Sequence, residues 1–170
     1  MIGRPENTEA APYYFTYIDK VEGNDPLIAL ESQLEEVPRF SLMISDERSL
    51  YRYAPEKWSI RQVLNHICDT ERMIAFRAFW FARGFDSSLP SYDQNVAASE
   101  AAADRVPWNA HIEEFRRVRH STIFLFRNLP SEAWMRGGVA SDNRFTVRAL
   151  AYIIAGHFAH HVSLLRERYF

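Results

Sequence analysis

Apolar residues recur at intervals of three and four over most of the chain, the mark of helices that bury one face. The longest such stripe, Ile60, Val63, Leu64, Ile67, Ile74, Ala78 and Phe81, follows Ser59 and Gln62. Those two form a capping box, each side chain satisfying an exposed amide of the first turn, and a helix is predicted from there to about Arg83, where Gly84 stops it. Upstream, Asp25 and Pro26 predict a helix start, with Leu27, Leu30, Leu34 and Val37 as its buried stripe. Pro38 should kink or end that helix, and a second piece should run through Phe40 and Met43. Pro107 opens another helix, with Ile112, Phe115, Val118, Thr122, Leu125 and Phe126 pointing inward. The last helix is predicted from Phe145 or Thr146 nearly to the C-terminus, on the stripe Leu150, Ile153, Ile154, Leu164 and Leu165.

Between these segments, residues 51–57 and 86–92 read as loops, and Asp93 could cap a short helix through Ala103. Residues 130–136 are a short connector, and Gly137-Gly138 breaks the chain again. No stretch alternates as a strand would, and no segment repeats. Four long helices with short connections imply an all-α, antiparallel four-helix bundle over residues 25–170. Residues 1–24 are irregular, with turn formers at both ends. They read as an N-terminal extension strapped onto the bundle by Tyr13, Tyr14, Phe15 and Tyr17.

At 170 residues, 47% apolar and 14% aromatic, the chain suits one domain with a substantial core. Twenty basic against 22 acidic residues give a net charge of −2, which offers no reason to expect nucleic acid or an anionic membrane as partner. No stretch approaches the roughly 18 apolar residues of a membrane span, and residues 1–20 lack the basic start and apolar run of a signal peptide. Cys68 is the only cysteine, so no intrachain disulfide forms. The expectation is a soluble cytoplasmic protein. The aromatic-rich strap and the aromatic-heavy bundle suggest a homodimer.

The candidate chemistry lies on the last helix. At about 100° per residue, His157 and His161 fall in the middle of the buried stripe, one turn apart and pointing the same way. Two imidazoles in an apolar interior are costly unless both rings are satisfied. Hydrogen-bond partners could do this, and so could a metal, for which an i, i+4 histidine pair supplies two ligands. His66 lies at the edge of the stripe beginning at Ile60, on the side shared by Thr70, Met73 and Arg77. A histidine there is either a hydrogen-bonded boundary residue or a third ligand reaching the bundle axis.

The stretches WSIRQVLNHICDTERMIAFRAFWFARG, LPSYDQN and ALAYIIAGHFAHHVSLLRERY together resemble the DinB-like superfamily of four-helix metal-dependent enzymes. The likeness covers roughly residues 25–170 and rests on the Trp-Ser helix start, His66 seven residues after Ser59, the Glu71-Arg72 pair and His157-x-x-x-His161. It implies His66, His157 and His161 as the ligands of one divalent metal, zinc or nickel first, with manganese or iron as alternatives. Three imidazoles leave a position vacant, the arrangement of a catalytic ion. The resemblance implies a small-molecule substrate and either hydrolysis, with water activated, or transfer, with a low-molecular-weight thiol bound as thiolate. The alternative is a non-catalytic metal-binding or stress-response module.

Other residues have simpler readings. Asp69 is a candidate general base and Asp93 a candidate catalytic residue through substrate contact, though Asp93 serves equally as a helix cap; Glu71 and Arg72 read as a network pinning helices together. Tyr92, Asp93 and Asn95 fall in the segment that the family places at the mouth of its site. His160 points about 60° away from the pair, and His111 and His120 read as exposed or hydrogen-bonded. Cys68 points elsewhere on its helix, and Trp58, Trp80, Trp108 and Trp134 read as core or interface aromatics.

Overall fold

The computed structural model describes residues 2–170, save the side chains of Pro38, Phe40 and Ser41. Its helices are α1 (Phe15–Ile18), α2 (Pro26–Leu34), α3 (Glu36–Ser41), α4 (Ile60–Ala82), α5 (Gln94–Glu100), α6 (Trp108–Arg127) and α7 (Val147–Arg168). A hairpin of β1 (Gly137–Ala140) and β2 (Asn143–Thr146) precedes α7. Helix α4 packs on both α6 and α7, and α2 lies against the same two, which makes the four-helix bundle.

Local chemistry sets the helix starts. The Ser59 hydroxyl oxygen accepts from the Gln62 amide at 3.1 Å, while the Gln62 side chain accepts from the Ser59 amide at 3.0 Å. Asp25 caps α2 by accepting from the Leu27 amide at 3.0 Å, and Thr146 caps α7 by accepting from Ala149. Helix α2 ends at Leu34, short of the expected Val37. Pro38 has no N–H for the Leu34 carbonyl, so the ladder breaks one turn before the proline. The second piece forms as α3 but stops before Met43, which is exposed; the Phe40 side chain lies outside the described residues. The helix after Asp93 ends at Glu100 rather than Ala103, and α7 begins at Val147, one residue beyond its expected start.

The core comes in two apolar halves. One gathers Leu30, Ile74, Phe81, Phe126, Phe145 and Leu150; the other gathers Ile60, Ile67, Phe115, Phe158 and Val162. Between the two sets, each bundle helix carries buried polar residues: Gln33 on α2, His66, Thr70 and Glu71 on α4, Arg119 on α6, and His157 and His161 on α7. Arg119 is 0% exposed and joins the helices to one another. It donates to Glu71 from Nε and Nη2 at 2.8–3.1 Å and to Gln33 Oε1 from Nη1 at 2.7 Å. Gln33 in turn donates to the Ala155 carbonyl on α7 at 2.8 Å. The Arg119 guanidinium also lies over the rings of Phe115 and Phe158.

Residues 1–24 are less irregular than expected, since they include α1 and a 3₁₀ turn, Pro12–Tyr14. Their buried anchors are Ala10, Ile18 and Val21, whereas Tyr13 is 63% exposed. Glu9 fixes the segment to the start of α7: its carboxylate accepts from Thr146 Oγ1 at 2.7 Å and pairs with Arg148, and its carbonyl accepts from the Thr146 amide. At Gly156 a Cβ would stand 2.0 Å from the Tyr17 carbonyl oxygen. Alanine in mid-helix ordinarily gains up to about 1 kcal/mol over glycine. Overpacking costs about 1–3 kcal/mol, so Gly156→Ala should destabilise the protein on balance and loosen the strap. Urea denaturation and the rate of tryptic cleavage before residue 25 measure the two effects.

The hairpin corrects the expectation of no strand. Gly137 and Gly138 are close-approach positions rather than breaks: a Cβ at either would stand 2.3 Å from the Phe145 carbonyl oxygen or the Phe81 ring, respectively. Ser141 and Asp142 turn the chain with φ of 49° and 59°, the two positive values of a type I′ turn. The Leu89 amide donates to the Val139 carbonyl, which ties the loop after α4 to the hairpin.

Candidate metal centre

Helical phase brings three imidazoles to one point. His66, Thr70, Met73 and Arg77 share one face of α4, and Leu150, Ile153, His157 and His161 share one face of α7. Where α4 and α7 pack, His157 Nε2 lies 3.1 Å from His66 Nε2 and 3.0 Å from His161 Nε2. All three ligand nitrogens lie within 4.8 Å of one another, and all three residues are buried. Trp58 packs on the His66 ring at 4.9 Å between centroids, and Tyr17 of the strap on His157 at 5.4 Å.

Hydrogen bonding among the rings cannot satisfy this cluster. Each imidazole nitrogen has one in-plane site, either a proton or a lone pair. His157 Nε2 therefore serves one of its two neighbours and leaves the other facing it unpaired. One ion solves the problem for all three. Tetrahedral ligation at a zinc–nitrogen distance of 2.0–2.1 Å puts ligand nitrogens about 3.3 Å apart, close to the 3.1 and 3.0 Å that separate His157 from His66 and His161. Thr70 Oγ1 sits 3.4 Å from His66 Nδ1, where it can hold the ring's orientation. Among the described residues His161 Nδ1 has no partner.

Burial also keeps the rings neutral, which is the form that ligates. It lowers His66 to about 4 and, helped by the neighbouring His66 and His160, lowers His161 to about 3. His157 is held well below its ordinary value by burial and then by His161 and His66.

A pocket of about 160 Å³ opens beside His66 and His157. Its walls are Tyr14 and Tyr17 of the strap, Thr70, Met73 and Arg77 of α4, Tyr92 and Gln94, and Ser141 and Phe145 of the hairpin. Among the described residues no carboxylate lines it. Asp69 lies off this wall, engaged by Arg72 and Asn65, and burial raises its pKa. Asp93 is exposed and caps α5, accepting from the Asn95 and Val96 amides. Of the predicted mouth residues, then, Tyr92 reaches the pocket while Asp93 and Asn95 do not. Glu71 turns inward to Arg119, and Arg72 outward to Glu114. His111 is buried with Nε2 at 2.9 Å from the Ala103 carbonyl, His120 is exposed, and His160 packs edge-on against Tyr17. Gln94 and Ser141 carry no local signal in the sequence, because the fold alone brings them beside α4.

The family model for the DinB superfamily matches residues 29–165. Among solved structures, YfiT from Bacillus subtilis, described as a probable metal-dependent hydrolase with an unusual four-helix bundle topology, superposes with a TM-score of 0.68 at 15% identity. The match covers 96% of this chain and 91% of that one, and at such identity it shows the shared fold. No curated protein matches the chain significantly.

Proposed function

This chain belongs to the DinB superfamily, and we propose that it is a metal-dependent enzyme acting on a small molecule, with His66, His157 and His161 as the ligands. The observation that carries the reading is the convergence of three neutral Nε2 atoms that cannot satisfy one another. Zinc or nickel suits three imidazoles best, with manganese or iron next. Bound there, the ion would supply Lewis acidity, activating water for hydrolysis or taking a low-molecular-weight thiol as thiolate for transfer. The description of YfiT supports the hydrolytic branch. The pocket wall, free of carboxylates, supports chemistry without a separate general base.

In this reading residues 25–170 are the catalytic bundle, and the extension of residues 1–24 completes the pocket with Tyr14 and Tyr17. Among the described residues no helix is long and apolar enough to cross a membrane. The buried free thiol of Cys68 supports a cytoplasmic setting. The exposed rings of Phe76, Phe79 and Phe85 support the homodimer, which sedimentation at micromolar concentration checks.

Purified protein should carry about one equivalent of metal, and His157→Ala should abolish it while leaving the helical circular dichroism intact. Protein that takes up no metal between pH 6 and 8 would overturn the reading. A metal whose removal unfolds the bundle would assign the site to the non-catalytic alternative. Parallel screens of ester, amide and phosphate hydrolysis and of thiol transfer to electrophiles then separate the two branches.

A further inference from the structure

Arg77 stands apart from the other buried charges of the bundle. Arg119 and Arg61 are as buried, and each has a carboxylate partner, Glu71 and Asp46. Arg77 is 5% exposed, and among the described residues no carboxylate pairs with it. Its Nη2 donates to the Pro90 carbonyl and to Ser141 Oγ, both at 2.8 Å. No protein acceptor meets Nε or Nη1 among the described residues. A cation this buried is costly without a counter-charge. Burial accordingly pulls its pKa below the usual arginine value, with only Tyr14 opposing.

The guanidinium also sits at a telling place. Tyr14 and Ser141, its neighbours, line the same pocket as His66 and His157. His66 and Arg77 are eleven residues apart on α4, about 16 Å along the helix, and an arginine in a helix leans back toward the N-terminus. Met73, Ile74, Leu150 and Ile153 give the pocket an apolar wall on α4 and α7, with Thr70 beside them. At about 160 Å³ the pocket matches the engineered cavity of about 150 Å³ that takes up benzene.

We propose that Arg77 is the anion receptor of this pocket, and that the ligand is a small carboxylate whose ring or short chain lies along the apolar wall with its other end at the three histidines. Nη1 offers a carboxylate oxygen a charge-assisted donor, while Nη2 keeps the hairpin and the loop at Pro90 in place. The inference rests on the metal-enzyme reading only for which end of the ligand reacts; the anion site stands without it.

The test is calorimetric titration of 3-phenylpropionate and its uncharged amide, 3-phenylpropanamide, into the metal-free and the zinc-loaded full chain. The acid should bind metal-free protein at least about tenfold more tightly than the amide, the worth of a charge-assisted hydrogen bond. Arg77→Gln retains an N–H donor for Ser141 or Pro90 and should erase the acid's advantage over the amide. Arg77→Lys should recover part of it. Equal binding of acid and amide by the wild type, no binding of either, or an advantage that survives Arg77→Gln would each overturn the proposal. An advantage seen only with zinc and unaffected by Arg77→Gln places the carboxylate on the metal and overturns it too. If the chain takes up no zinc, the metal-enzyme reading fails while the metal-free comparison still decides the role of Arg77.

Discussion

Replacing Arg119 by alanine is expected to cost the bundle about 3–5 kcal/mol, a large part of the stability of a domain this size. The side chain is wholly buried, and its removal leaves the Glu71 carboxylate without a partner in the interior. It also deprives Gln33 Oε1 of its donor and empties the space over the stacked rings of Phe115 and Phe158. The ion pair itself contributes little net stability, because desolvating two charges offsets most of their attraction. The cost lies in stranding one of them. The double variant Arg119→Leu with Glu71→Leu should therefore be much more stable than Arg119→Ala alone. Guanidinium denaturation of the three proteins measures this, and a loss below about 1 kcal/mol for Arg119→Ala would show that the interior tolerates the lone carboxylate.

Arg119 also shows what the pattern of residues could and could not reveal. Phe115, Arg119, Thr122 and Phe126 are spaced by four, three and four and form the buried stripe of α6, so the phase of Arg119 is legible. A rule that bars charged residues from a stripe passes over it and takes half-buried Val118 instead. Glu71 and Arg72 look like one pair in the sequence, yet neighbouring helix positions diverge by about 100° and take opposite partners. His157 and His161 are legible from phase alone, since i and i+4 at the centre of an apolar stripe can only point into the core. His66 needs its position at the stripe's edge, and its meeting with the α7 pair is a fact of packing.

The rest of the site is long-range and leaves little local trace. The Tyr17 carbonyl reaches α7 through a glycine that reads, locally, as a weak helix position. The Ser141-Asp142 turn carries none of the glycine or asparagine that usually announces a type I′ hairpin, and the paired glycines before it look like a chain break. Pocket walls drawn from the strap, α4, the segment at Tyr92 and the hairpin depend on four separate packing events. Arg77 was visible as a residue on the side of α4 that His66 occupies, but its lack of a counter-charge is a property of the folded interior.

The metal-free protein should lose stability steeply as pH falls from 6.5 toward 4. A histidine whose pKa is lower in the folded than in the unfolded chain leaves stability intact above about 6.5, where both states are neutral. Below that, the unfolded chain takes up a proton that the folded one refuses, and each such histidine removes about 1.4 kcal/mol per pH unit. For His66, with a folded value of about 4, the loss reaches about 3 kcal/mol by pH 4. His161 falls in the same direction to about 3, and His157 is held down as well. Three buried rings refusing protons together amount to a large share of the whole folding free energy. Paired carboxylates such as Glu9 do not blur the upper part of this window, since they lose their contribution only below the ordinary 4.5. Urea midpoints at half-unit steps from pH 7.5 to 5 check the slope, and His161→Phe should make it shallower by one histidine's share. Stability that stays flat to pH 5 would mean that the rings accept protons in the folded bundle, and a cluster of that kind would have no need of a cation to hold it together.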